Sequence, residues 1–254
     1  MADNRSIIPD QWEIHESHRD ADPSLERDVA FFLNWGYLIV ENAISMEQVE
    51  SLRLALDESF ERRQDQFIGE LLEEDDRFSF LLDNPPVFNR MRALLGSCVQ
   101  LHSATGRVTD PGAPDQNWHR DNPWPMEPAL SPYGSQPPGH INCGYYLDEI
   151  TMDNGPIVIV PGSNRAPFRP PGGSVQLPDE KYVLAKPGQA VMFDGWTWHR
   201  GAENKSSERR RVCLMCYQNA WMKSREPFGG PRVARLREEG SSVRKLLLGG
   251  IGAW

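Results

Sequence analysis

Apolar positions along this chain change their spacing near residue 98. Before it they recur at helical intervals. The run SLERDVAFFLNWG (Ser24–Gly36) carries a serine at its start, apolar residues on one face and a glycine at its end, which predicts a helix. Tyr37–Val40 (YLIV) is a short continuous apolar run and reads as a buried strand. Ser45 then opens SMEQVESLRLALDESFERR with the Ser-x-x-Gln pattern of a capping box, and Val49, Leu52, Leu56 and Phe60 fall on one helical face. A shorter helix is expected over Val87–Gly96. Residues 24–97 are therefore expected to be mainly helical, behind a polar, proline-containing arm over residues 1–23.

From Cys98 the pattern becomes short β-branched and aromatic runs between Gly/Pro breaks. These are CVQLHSATGRV, HINCGYYLDEI, GPIVIVPG, KYVLAKPG, QAVMFDGWTWH and RRVCLMCYQNAWM. About six to eight short strands with turn signals at this spacing predict an all-β sandwich or jelly roll, placed over residues 98–221. Residues 222–254 form a basic and then apolar tail, expected to pack back on the domain or on a second subunit. The whole chain reads as one mainly β domain with flanking helices, as a monomer or homodimer.

Composition narrows the function. The chain has 254 residues and a formal net charge of −9, which repels a phosphate backbone and argues against a nucleic-acid partner. No apolar run approaches the roughly 20 residues that span a bilayer. The start, MADNRSIIPDQWEIH, lacks the basic and apolar regions of a signal peptide. A cytoplasmic protein with no membrane partner is expected. Cys213 and Cys216 form a CxxC, but residues three apart on a strand face opposite ways, so two buried thiols are expected there rather than a metal site.

The candidate chemistry lies in the histidines. The tripeptide His-Arg-Asp occurs twice, at His18–Asp20 and His119–Asp121. The first copy sits in the polar arm and reads as solvated surface. The second opens a proline-rich loop between Trp118 and Trp124. A histidine and an aspartate two apart on a strand point to one side and can grip one metal ion. His199, at the end of FDGWTWHRG, supplies a second imidazole. Two neutral imidazoles and one carboxylate, with open positions left over, make the facial triad of non-haem Fe(II) oxygenases.

Arg209, Arg210 and Arg211 head the last strand. Alternation groups Arg210 with Val212, Leu214 and Cys216 on one face. An inward guanidinium needs an anionic partner, because an unpaired buried charge is very costly, and a dicarboxylic cosubstrate would supply one.

With its order HRD…DNGPIVIVPGSN…PGQAVMFDGWTWHRGAENKSSERRR, the chain resembles the phytanoyl-CoA dioxygenase family of Fe(II)/2-oxoglutarate oxygenases, which includes ectoine hydroxylase. The resemblance runs from about Gly36 to Trp221, starting at GYLIVENAIS. It implies a double-stranded β-helix core, with His119, Asp121 and His199 as iron ligands and as the catalytic centre. It also implies 2-oxoglutarate and O2 as cosubstrates, with oxidation of a C–H bond of a small molecule coupled to decarboxylation to succinate and CO2. In the family an arginine eleven residues after the distal histidine binds the far carboxylate of 2-oxoglutarate, which here is Arg210. A polar residue two before the first histidine is common, giving Asn117, with Gln116 as the alternative contact. Trp124, Trp196, Trp198 and Trp221 lie beside these motifs and could wall a substrate pocket, with only one of Trp196 and Trp198 facing inward.

The chain departs from the family pattern in places. Gly201 stands where many members have Ser, and Ile157 where some have Thr, so secondary cosubstrate contacts are open. Related halogenases have Gly or Ala at the position of Asp121, so halogenation is not expected. The family acts on acyl-CoA thioesters, compatible-solute amino acids and secondary metabolites, and no motif here chooses among them. A metal-binding cupin isomerase or a catalytically silent binding module is the competing reading, and it leaves Arg210 unexplained. A kinase catalytic loop also begins HRD, but it needs Asn five residues after the Asp, where this chain has Leu25 or Met126.

Overall fold

Two reciprocal hydrogen bonds start the long N-terminal helix. Ser45 Oγ accepts from the Gln48 amide, and Gln48 Oε1 accepts from the Ser45 amide. In this computed structural model, residues 24–121 and 138–250 are described. The helical region comprises α1 (Leu25–Trp35), α2 (Met46–Arg63), the single-turn α3 (Leu71–Glu74), a 3-10 helix (Asp76–Asp83) and α4 (Pro85–Leu95). Between α1 and α2 lies β1 (Tyr37–Val40), and between α2 and α3 the very short β2 (Phe67–Ile68).

The later strands are β3 (Val99–Thr109), β4 (His140–Tyr146), β5 (Ile157–Ile159), β6 (Lys181–Val183), β7 (Ala190–Asp194), β8 (His199–Gly201) and β9 (Arg210–Asn219). With β1 and β2 they form two sheets, one of six strands in the order β1-β7-β4-β9-β3-β2 and one of three in the order β6-β5-β8. All the strand pairs are antiparallel. This is a jelly-roll core with helices on one side. After β9 the chain forms α5 (Pro231–Glu239) and α6 (Ser242–Leu247), which reach back to the N-terminal helical region through the ion pair Arg244–Asp83 at 2.7 Å.

Alternation divides the large sheet between two environments. Leu101 and Val108 of β3, Tyr145 of β4 and Tyr217 of β9 join Leu52 and Leu56 of α2 in the main core. On the opposite face Tyr146, Val191, Phe193 and Val212 pack towards Ile159 and Val183 of the small sheet. Every residue of β4 is buried, as a strand covered on both faces must be. Cys213 and Cys216 are free, buried thiols on opposite faces of β9.

The apolar run QAVMFDGWTWH is not one strand. It breaks after Asp194 into a turn and resumes as β8 in the other sheet, so strand alternation does not govern Trp196 and Trp198. The turn is tied down by Asp194 Oδ1, which accepts from the Trp196 amide at 3.0 Å, and by the Thr197 amide donating to Asp194 O at 2.9 Å. Thr197 Oγ1 also donates to Gly36 O at 2.8 Å.

Gly36 ends α1 with a φ of 76°, in the left-handed region, and a Cβ there would lie 2.3 Å from Thr197 Oγ1. Gly36→Ala is therefore expected to destabilise the fold by about 2 kcal/mol or more, read as a lower urea midpoint. No helix among the described residues is long and apolar enough to cross a membrane.

Candidate active site

His119 and His199 face each other as a hydrogen-bonded antiparallel pair. Each backbone amide donates to the other's carbonyl at 3.0 Å, which sets both side chains on one face with ring centroids 4.3 Å apart. His119 thus lies in an isolated bridge rather than in a regular strand, and β8 holds it in place. Asp121 follows two residues later, its Oδ1 at 3.7 Å from His119 Nε2 and its Oδ2 at 3.4 Å from His199 Nε2. The three ligand atoms lie within 4.8 Å of one another.

The tautomers are fixed from behind. His119 Nδ1 lies 2.8 Å from the Asn117 carbonyl, and His199 Nδ1 lies 2.9 Å from the Thr197 carbonyl. A carbonyl only accepts, so each Nδ1 carries the proton and each Nε2 presents a lone pair to the shared point. Asp121 Oδ2 accepts from Asn142 Nδ2 at 2.9 Å, and Asn142 Oδ1 in turn accepts from Cys216 Sγ at 2.7 Å. Phe193 packs on His199 with ring centroids 4.6 Å apart.

Burial works to raise the Asp121 carboxyl, but the imidazoles of His199 and His119 outweigh it and hold it well below the usual carboxylate range. Burial lowers His119, with His199 adding to the effect. For His199 burial also acts downward, and the Asp121 carboxylate overcomes it to raise the ring. A metal ion at this point would compete with a proton for His199 Nε2.

These residues line a cavity of about 510 Å³ that runs along the inner face of β3, β9 and β4. Arg210 lies at one end, 7 % exposed. One of its terminal nitrogens donates to Thr109 Oγ1 at 2.6 Å, and its guanidinium lies 5.7 Å from the centre of the Tyr146 ring. Its Nε is buried with no hydrogen-bond partner among the described residues, and burial pushes its pKa down. No carboxylate among the described residues forms an ion pair with this guanidinium, and an unpaired buried charge is costly. Val212, Leu214 and Cys216 line the cavity with it. Arg209 instead pairs with Asp110 at 2.8 Å with its side chain 59 % exposed, and Arg211 pairs with Asp57 and Asp148, each at 2.8 Å.

The other expected contacts divide. Gln116 lines the cavity, where its Oε1 accepts from the Gly201 amide at 2.9 Å. Asn117 is exposed and is not part of the lining, so its contribution is the backbone carbonyl behind His119. Trp196 is buried but lies off the cavity, with the Arg120 guanidinium 4.8 Å from its ring centre. Trp198 packs against Phe168 and also lies outside the lining. Trp221 is 72 % exposed and is not among the described residues that line the cavity. Trp124 and His18 fall outside the described residues.

The aromatic wall is instead Tyr146, Phe193 and Phe67, with His102, His140 and Arg225 at the end away from Arg210. Alternation along HINCGYY could have found His140, Asn142 and Tyr146 on one face. No sequence signal pointed to His102 or Arg225. Burial pushes the His140 ring down to about 4, so it is neutral near pH 7.

The jelly roll with a two-histidine, one-carboxylate cluster at its mouth is the architecture of a non-haem metal oxygenase. The chain belongs to the phytanoyl-CoA dioxygenase (PhyH) family, whose model matches residues 32–212. It is 34 % identical over 116 residues to dioxygenase sphC of Aspergillus fumigatus, a match covering 45 % of this chain and 30 % of that protein. Against three fungal dioxygenases, sphC among them, the matched stretch spans only between 30 % and 36 % of the relative's length. Ectoine dioxygenase of Bordetella bronchiseptica is 26 % identical over 240 residues, covering 77 % of this chain and 73 % of that enzyme. The epimerase SnoN, whose structure was solved with Fe3+, alpha-ketoglutarate and nogalamycin RO, shares the fold with a TM-score of 0.64 at 16 % identity, covering 78 % of this chain and 85 % of SnoN.

Proposed function

We propose that this chain is an Fe(II)- and 2-oxoglutarate-dependent dioxygenase that hydroxylates a C–H bond of a small-molecule substrate. Decarboxylation of 2-oxoglutarate gives succinate and CO2, with one atom of O2 entering succinate and the other the new hydroxyl group. The observation that carries the reading is the convergence of His119 Nε2, His199 Nε2 and Asp121 within 4.8 Å, with both Nδ1 atoms occupied by backbone carbonyls. Three protein ligands leave coordination positions for a chelating cosubstrate and for O2. The buried Arg210 Nε without a partner is the second support, because it fits the far carboxylate of a dicarboxylic acid.

Each neighbour has a definable part in this reading. Iron bound at the triad, together with 2-oxoglutarate, supplies the oxidising chemistry. Asn142 holds the Asp121 carboxylate in orientation, and the Asn117 and Thr197 carbonyls keep the two imidazoles facing the metal point. Thr109 and Tyr146 steer Arg210 and keep its pocket free of bulk water.

Succinate formation is the direct test. Protein supplied with Fe(II), 2-oxoglutarate and air is expected to yield succinate slowly without substrate, in an iron- and O2-dependent way. A metal-loaded protein that makes no succinate above the protein-free control would overturn the assignment.

A further inference from the structure

One end of the cavity is not accounted for by metal or cosubstrate. Thr109 pairs with Arg210 at one end of the β3–β9 ladder, and Ser103 pairs with Cys216 six residues further along β9. At about 3.3 Å per residue the two places are roughly 20 Å apart. The far place contains His140, which is 3 % exposed and lines the cavity with neither ring nitrogen hydrogen-bonded among the described residues. A neutral imidazole offers one N–H and one lone pair, and leaving both unmet in the interior is costly.

The local backbone is shaped to crowd polar groups here. The β3–β9 register slips between Leu101 and Ser103, so His102 is the extra residue of a bulge. His102 and Ser103 both line the cavity, although they are adjacent in sequence. The His102 carbonyl accepts from the Arg225 amide at 3.0 Å, which anchors the segment after β9. Arg225 then donates to Ser103 Oγ at 3.0 Å from the cavity lining. Its neighbour Glu226 is turned the other way, accepting from the amides of Ala104 and Glu70. His102 presents its Nδ1 to Gln218 Oε1 at 2.6 Å and stands edge-on to His140, with ring centroids 4.6 Å apart.

Charge points to the kind of ligand. Among the described lining residues there are three arginines (Arg107, Arg210 and Arg225) and one carboxylate, Asp121. The cavity is therefore cationic inside a chain of net charge −9. A divalent metal and a dianionic cosubstrate cancel each other, so the excess positive charge remains.

We propose that His140, His102, Ser103 and Arg225 form the substrate subsite, and that it takes a carboxylate carried by the substrate. Arg225 supplies the charge and the His140 ring supplies a hydrogen bond. The assignment rests on the proposed function only in taking the Arg210 end as the place of 2-oxoglutarate.

The probes are 4-fluorophenylacetate and its neutral near-isostere 4-fluorophenylacetamide. Binding is followed by fluorine NMR, both in metal-free protein and in protein loaded with Fe(II) and 2-oxoglutarate under nitrogen. The acid is expected to bind with a dissociation constant below about 10 mM and at least about tenfold tighter than the amide. Arg225→Gln and His140→Gln should each bring the acid towards the amide's affinity, whereas Arg209→Gln on the surface should not. The two site variants are checked for a wild-type urea midpoint, and either one alone suffices if the other unfolds. Equal binding of acid and amide, loss of neither preference in the variants, or no binding of the acid would overturn the proposal. Failure of the iron and 2-oxoglutarate reading would show separately, as an Arg225-dependent preference that persists in the metal-free protein alone.

Discussion

Replacing His199 by alanine is expected to reduce 2-oxoglutarate turnover by more than about 100-fold, beyond the losses of about 10–100-fold typical for residues that merely support a metal ligand. His199 is the buried member of the triad, 5 % exposed, and its Nε2 is the nearest imidazole nitrogen to Asp121. Its removal leaves one imidazole and one carboxylate, too few to hold iron against water. The backbone bridge to His119 survives, because it is made by amides and carbonyls rather than by the ring. The variant should therefore fold, and its iron content after dialysis should fall together with succinate formation. Retention of both would remove His199 from the metal site.

Arg210→Ala is expected to raise the 2-oxoglutarate concentration needed for half-maximal turnover by about 100-fold or more, while Arg209→Ala changes it by less than about threefold. The contrast rests on burial. Truncating one partner of a buried, hydrogen-bonded charge pair costs about 2–5 kcal/mol, whereas an exposed pair contributes about 1 kcal/mol or less. Arg210 is buried at the cavity end, and Arg209 is on the surface with Asp110. Michaelis constants for 2-oxoglutarate measured on the two variants decide the matter. A larger effect at Arg209 would reverse the inward face assigned to β9.

Much of this arrangement was legible in the chain, for identifiable reasons. The Ser45–Gln48 box, the face formed by Val49, Leu52, Leu56 and Phe60, and the alternation of β9 are local patterns, and local patterns survive folding. The jelly roll followed from strand texture and turn spacing. The dipeptide Asp194-Gly195 in FDGWTWH is a turn signal, but only pairing with different partners reveals that the chain crosses between sheets there. That crossing is why strand alternation does not sort Trp196 from Trp198, neither of which is among the lining residues. His102 is not legible in the sequence, because a bulge changes which residues of β3 face inward and the residue string does not mark this one. Arg225 is held at the cavity by hydrogen bonds to the bulge, among them one from its amide to the His102 carbonyl, a contact between residues 123 positions apart. Counting back from His119 points to Asn117, while the side chain that lines the cavity is its neighbour Gln116.

The central claim is that one point in the cavity binds iron and 2-oxoglutarate together, held by His119, Asp121, His199 and Arg210. Anaerobic titration of the protein with Fe(II) and then 2-oxoglutarate tests it without any knowledge of the substrate. The account predicts a weak visible charge-transfer absorption that appears only when both are present and saturates at one equivalent of each. It should be absent in the His199→Ala variant. Iron that binds at one equivalent and gives no such absorption with saturating 2-oxoglutarate would contradict the account.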